Sequence, residues 1–180
     1  MLTINRKSIR GQKAEFEKAG VCVGNIDIDA IVQNTARAPL WAHYGAGNLF
    51  KAHHAMLAQR LIEDGFMTSG IVALVPNDFA NIETLYTRND NLFARVVMKK
   101  DGTLDTRIIS AVTAFLPANP ADSAAWGKAH AVFANPSLQM LTITITEKGY
   151  NLKTLDGAYT KDVRAEFDAG PRGNDLAHAM

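Results

Sequence analysis

The chain is poor in several things that would have fixed its class at once. It has one cysteine, Cys22, so no internal disulfide forms and no cysteine-rich zinc site is available. It has no excess of charge: 19 Lys and Arg stand against 18 Asp and Glu. That balance gives no basic footprint for nucleic acid and no polybasic patch for an anionic membrane. It has no long apolar run, since its densest, Gly70 to Pro76, is far too short to span a bilayer. The start mixes Arg6, Lys7, Arg10 and Lys13 with isolated apolar residues, so no secretory signal is legible. Repeats and low-complexity tracts are absent. A soluble, reducing, cytoplasmic setting is the expectation, with Cys22 as an inert small hydrophobe.

What is present is a core. Hydrophobic residues make up 47% of the 180 and charged residues 21%, which excludes wholesale disorder and suggests one domain. Residues 1–39 read as a polar leader. Within it a short helix is expected over Asp27 to Thr35, with Asp27 as N-cap and Ile28, Ile31 and Val32 on one face. Pro39 punctuates it.

Leu40 to Tyr44 reads as a buried strand running into Gly45-Ala46-Gly47. Asn48 to Asp64 carries apolar residues at helical spacing and is stopped by Gly65. Ile71 to Val75 is the continuous apolar run of a strand covered on both faces, ended by Pro76. Strand, glycine turn, helix and strand make a βαβ unit.

A β-rich stretch follows, over Leu92 to Met98 and Leu104 to Phe115, with the hairpin signal Asp101-Gly102 between its halves. Ala121 to Phe133 reads as a helix with Asp122 or Ser123 near its start. Leu138 to Thr146 reads as a strand in which Leu141, Ile143 and Ile145 alternate with threonines. The tail from Asn151 reads as polar and turn-rich until a helix near Asn174. The fold class is therefore α/β, a Rossmann-like and mostly parallel sheet with flanking helices and an inserted hairpin at about residues 92–115.

The chemistry concentrates on Gly45-Ala46-Gly47-Asn48-Leu49-Phe50, which fits G-x-G-x-x with Phe50 in place of the third glycine. The first glycine permits the tight turn, and the second lets the backbone approach a pyrophosphate. The helix N-terminus supplies free N–H groups to the phosphates. Replacing the third glycine by Phe50 predicts more open helix–strand packing. Asp78, just past the second strand, is the candidate grip on the ribose hydroxyls; capping a short helix over Asn81 to Leu85 is its other reading. No Arg or Lys directly follows that strand, which favours NAD over NADP. A helix-capping turn without a ligand remains the alternative to nucleotide binding, and an S-adenosylmethionine-dependent methyltransferase shares the same glycine turn.

His53-His54 lacks the i, i+4 spacing of a zinc helix, so with His43 it reads as packing or surface, and no metal site is expected. His130 and His178 have no recognisable context. Thr146-Glu147-Lys148-Gly149-Tyr150 falls beyond a strand end, where ligands of open parallel sheets bind. A bland polar loop is the other reading.

Two segments carry a family resemblance. Trp41-Ala42-His43-Tyr44-Gly45-Ala46-Gly47-Asn48-Leu49-Phe50-Lys51-Ala52-His53 resembles the opening motif of the polyol-specific long-chain dehydrogenases, usually close to HFGxGNFHRAH. The family includes mannitol 2-dehydrogenase and the fructuronate and tagaturonate reductases. Leu141 to Tyr150 resembles its second hallmark, LTITExGY. His53 matches the motif, whereas Phe50 and Lys51 stand where the family often has His and Arg; Lys51 keeps the charge without the bidentate fork.

The resemblance implies an NAD-dependent oxidoreductase that interconverts a sugar alcohol or aldonate, including a hexuronate-derived one, with its ketose by hydride transfer. It implies cofactor contacts from Gly45, Gly47, Asn48, Leu49, Phe50 and Lys51, with Glu147 on the nicotinamide side. It also implies that the catalytic Lys and its Asn and His companions lie in a helical domain beyond Met180. Residues 40–180 are then a partial dinucleotide-binding domain with no catalytic residue, inactive alone. A non-catalytic binding or interaction domain is the alternative. Asp175 to Met180 reads as an interrupted helix whose Leu176 and Met180 lack a partner face, so exposed apolar surface and association are expected.

Overall fold

A computed structural model describes residues 2–145 and 150–170. Its centre is a four-stranded parallel sheet in the order β6-β3-β2-β7, built from β2 (Trp41–Tyr44), β3 (Ile71–Val75), β6 (Val112–Pro117) and β7 (Met140–Ile143). In chain order these are the first, second, third and fourth strands of the sheet. The spatial order is thus 3-2-1-4, the first half of a doubly wound sheet. Connectivity reverses between β2 and β7, and that reversal opens a crevice at the carboxyl ends of the two strands.

β3 is buried along its whole length, as its unbroken apolar sequence requires. Its Ile71, Ala73 and Val75 pack with Trp41 and the helix α4 (Ala55–Glu63). Val72 and Leu74 face the other way, with Ala42, onto Ala129 and Val132 of α5 (Ser123–Ala134). Two of the helices start at an aspartate that caps them. Asp122 accepts from the N–H groups of Ala124 and Ala125, and Asp27 accepts from Ala30 at the head of α3 (Ile28–Arg37). Gly65 ends α4 with φ +79°, and the Phe66 N–H returns to the Leu61 carbonyl.

The hairpin is narrower than its sequence suggests. β4 (Phe93–Met98) and β5 (Leu104–Ile109) pair antiparallel around residues 99–103, but Val112–Pro117 leaves them to become β6 beside β3. The expected single strand from Leu104 to Phe115 is therefore two strands in two sheets. The break lies at Ser110 and Ala111, where the Ala111 carbonyl accepts from the Ile71 N–H at 2.8 Å.

Residues 2–39, read as a polar leader, are an ordered part of the fold. They form α1 (Arg6–Gly11), α2 (Lys13–Lys18), β1 (Val21–Val23) and α3. β1 pairs parallel with β5 and completes a second sheet, β1-β5-β4. Ile9, Phe16, Val23 and Ile28 form a small core with Leu92 and Ile108. The polar composition hid these apolar residues because the two short helices bury one large side chain each. A helix that the tail's composition concealed, α6 (Lys161–Ala169), is capped by Thr160. The helix expected near Asn174, with Leu176 and Met180, lies outside the described residues.

Among the described residues no helix is long and apolar enough to cross a membrane, and no cluster of His, Cys, Asp or Glu could hold a metal ion. β7 leaves Leu141 and Ile143 exposed on its outer face.

One buried side chain ties the two sheets together. Gln59 of α4 accepts from the Ser110 N–H at 2.9 Å and donates to Glu63 at 2.9 Å, and Glu63 pairs with Arg107 of β5 at 2.9 Å. Gln59→Ala strands the buried Ser110 N–H and leaves a void. We expect a loss of about 3 kcal/mol, measured from the urea midpoint.

Candidate functional site

The crevice at the strand ends is a cleft of about 640 Å³. Its floor is the turn after β2, and its walls are the end of β3, the segment around Asn81 to Tyr86, and Thr144 with Ile145 beyond β7. Gly45, Gly47, Asn48, Leu49 and Asp78, singled out in the sequence, all line it. Phe50 and Lys51 do not. Glu147 falls outside the described residues.

Gly45 has φ +117°, a conformation side chains avoid. A Cβ there would also sit 2.9 Å from Thr144 Oγ1. Gly47 differs: a Cβ there would meet nothing within 4 Å. Protein packing does not require a glycine at 47, and the space beside it belongs to the cleft. The helix begins directly after it, with the Lys51 N–H bonded to the Gly47 carbonyl at 3.1 Å. The N–H groups of the turn before that bond have no partner within the helix, so they present partial positive charge to the cleft.

The helix does not start as a regular α-helix. Phe50 to His54 form a π-turn, closed by the Ala55 N–H on the Phe50 carbonyl. Phe50 stands between the helix and the strand. Its ring is fully buried and stacks on His43 at 4.1 Å and 14°, filling the contact that a glycine would have made close. The wider turn gives the ring its room. Lys51 projects to an adjoining hollow, its Nζ 5.8 Å from the centre of the Tyr86 ring.

Asp78 is held at the rim of the cleft by the residues that follow it. It lines the cleft, and with φ +58° it also heads the segment that follows. Its carbonyl accepts from the Asn81 N–H at 3.0 Å, and its carboxylate accepts from the Asn81 side chain at 2.5 Å. Burial and then the charge of Asp78 push the Tyr86 phenol above its ordinary pKa, so it stays a neutral donor, aimed at the Ala46 carbonyl at 3.4 Å.

The sequence reading missed His43 and Thr144 as parts of one assembly. His43 is fully buried between β2 and the π-turn. Its Nδ1 lies 2.7 Å from Thr142 Oγ1 and its Nε2 lies 3.1 Å from Thr144 Oγ1. The signal was present: strand alternation puts Trp41 and His43 on one face of β2 and Thr142 with Thr144 on one face of β7. Only the pairing of those two strands brings them together.

A second cleft of about 460 Å³ lies between α1 and the loop before α3. Its charges are already matched, because Asp29 bonds both Arg10 and Arg6. The Arg10 bond is the main reason the Asp29 carboxyl is held below its usual pKa.

No family model matches the chain. D-mannonate oxidoreductase of Thermotoga maritima is 36% identical over 170 residues, covering 94% of this chain and 31% of that protein. Polyol:NADP oxidoreductase of Gluconobacter oxydans is 30% identical over 135 residues, covering 74% of this chain and 26% of that one. A crystal structure of D-sorbitol dehydrogenase, substrate-free, superposes with a TM-score of 0.66 at 26% identity, over 89% of this chain and 32% of that one. Mannitol 2-dehydrogenase of Pseudomonas fluorescens, solved with NAD and D-mannitol, shares the fold with a TM-score of 0.72 at 18% identity, over 97% and 33%. The chain spans about a third or less of the length of each.

Burial lowers the His43 pKa from 6.5 to about 4, and His54 adds to the effect. The unfolded chain thus takes up a proton that the folded chain refuses. The resulting stability is full above pH 6.5 and drains away as pH falls toward 4, by about 3 kcal/mol in all. Urea midpoints taken from pH 7 to pH 4.5 should fall accordingly, and His43→Phe should flatten that slope. With its cleft and its sheet order in view, the chain is similar along most of its length to one part of larger mannonate, polyol and sorbitol oxidoreductases.

Proposed function

We propose that this chain is the cofactor-binding part of an NAD-dependent oxidoreductase, one that interconverts a sugar alcohol or aldonate with its ketose. The observation that carries the reading is the empty space beside Gly47, at the start of a helix and at the point where the sheet order reverses. A Cβ there would meet no protein atom within 4 Å, which leaves the approach to the turn open to a pyrophosphate. When bound, the nicotinamide ring of the cofactor accepts or gives up the hydride.

The chain's own residues hold the cofactor. The turn from Ala46 to Leu49 faces the pyrophosphate with backbone N–H groups, while the Gly45 N–H is donated to the Leu74 carbonyl at 2.8 Å. Asp78 takes the ribose hydroxyls, with its carboxylate oriented by Asn81. A carboxylate there hydrogen-bonds a diol and repels a 2′-phosphate, which supports NAD over NADP. Glu147 is assigned to the nicotinamide side. Phe50 acts from behind, fixing the turn through its stack on His43. Lys51 adds positive charge beside the turn. No acid or base is assigned to these residues, so the chain alone is expected to bind cofactor without turnover. The names of the relatives, a mannonate and a polyol oxidoreductase, support the substrate class. The setting is taken as cytoplasmic.

Gly47→Asp tests this directly. The added side chain enters open space, so the melting temperature should stay within a few degrees of the parent. NADH binding, followed by its fluorescence, should weaken at least about tenfold, since a carboxylate meets the pyrophosphate. Equal binding by the variant removes the site. Exposed Leu141 and Ile143 on the edge strand also support association of the isolated chain. Sedimentation should show dimers or larger species, and a monodisperse monomer would contradict it.

A further inference from the structure

His43 closes a chain of hydrogen bonds that has a direction. The Trp41 indole N–H can only donate, and it donates to Thr142 Oγ1 at 2.7 Å. The hydroxyl hydrogen of Thr142 then needs an acceptor. Among the described residues, the one its side chain reaches is His43 Nδ1, at 2.7 Å. His43 is buried and neutral, so it carries a single ring hydrogen. With Nδ1 accepting, that hydrogen sits on Nε2 and is donated to Thr144 Oγ1 at 3.1 Å. Thr144 thus accepts from the protein interior, and among the described residues its own hydroxyl hydrogen has no acceptor. Thr144 lines the cleft, with its Oγ1 beside Gly45 at the head of the phosphate turn.

We infer that Thr144 is a ligand-binding residue, a hydroxyl oriented by His43 to donate a hydrogen bond to a phosphate oxygen in the cleft. His43 is then a positioning residue. The inference rests on the nucleotide reading of the cleft and adds to it a donor from the opposite side of the sheet reversal. The turn at 46–49 offers backbone N–H groups after β2, and Thr144 offers a side-chain O–H just past β7. A phosphate between them is held from both strands.

The test compares parent, Thr144→Val and Thr144→Ser for binding of NADH, and for competition by ADP, adenosine and inorganic phosphate. Losing one hydrogen bond to a charged group should weaken NADH and ADP about tenfold in the valine variant. The serine variant should bind like the parent, and adenosine should not distinguish the three. Competition by inorganic phosphate that is lost in the valine variant would place a free phosphate at the same donor. Unchanged NADH binding by Thr144→Val overturns the inference while leaving the nucleotide site standing. An equal loss on adenosine overturns it too, since the effect is then structural. A parent that binds no NADH at all defeats the nucleotide reading itself. Should the valine variant fail to fold, long-range ¹H–¹⁵N spectra of the parent decide: His43 protonated on Nε2 supports the relay, and protonation on Nδ1 overturns it.

Discussion

The fold turns on a buried imidazole that must satisfy two nitrogens without water. His43 lies where β2, β7 and the start of α4 converge, and its partners are fixed by that position. Thr142 and Thr144 take its nitrogens, and Phe50 takes its face. A slip of β7 by one residue would turn both threonines to the opposite face and set apolar side chains against an unpaired ring. The His43 contacts therefore hold the register between β2 and β7, the two strands that bound the cleft. Through Phe50 they also set where the helix leaves the glycine turn. The strand pairing, the helix start and the shape of the phosphate turn share one cause.

The rest of the molecule supports that junction from a distance. The small sheet built on residues 2–39 and the hairpin meets the large one where the chain crosses between them at Ser110 and Ala111. Gln59, Glu63 and Arg107 bridge the two there. Such a polar bridge is favourable only when every member is satisfied. The outer edge at β7 is different, because among the described residues its Leu141 and Ile143 stay partly exposed. The threonine side of β7 is thus held by specific hydrogen bonds, while its other side is the more exposed one.

Much of this was legible in the residues. The continuous apolar run of Ile71 to Val75 could only be a covered strand, and Asp27, Asp122 and Gly65 marked helix ends by their side-chain chemistry. The turn Gly45-Ala46-Gly47 declared both its strain and its opening. Local pattern could not decide partners. Alternation over Leu104 to Phe115 fits a strand equally well in either sheet, so the crossing at Ser110 was invisible. The two short helices near the N-terminus carry too few apolar residues to show a period. The link from His43 to Thr142 joins residues 99 apart in sequence, beyond any window. Even so, both family-like segments were recognised separately, and the structure shows them touching through His43. The histidine that read as ordinary packing is the contact between them.

The central claim is that a dinucleotide lies across the strand ends of β2 and β7. Mapping amide shifts in a ¹H–¹⁵N spectrum while NADH is added tests it most directly. The account predicts perturbations at Gly45 to Leu49, at Asp78 and at Thr144, with little change at Arg10, Asp27 and Asp29 around the second cleft. Shifts confined to that second cleft, or no shifts at saturating NADH, would contradict it.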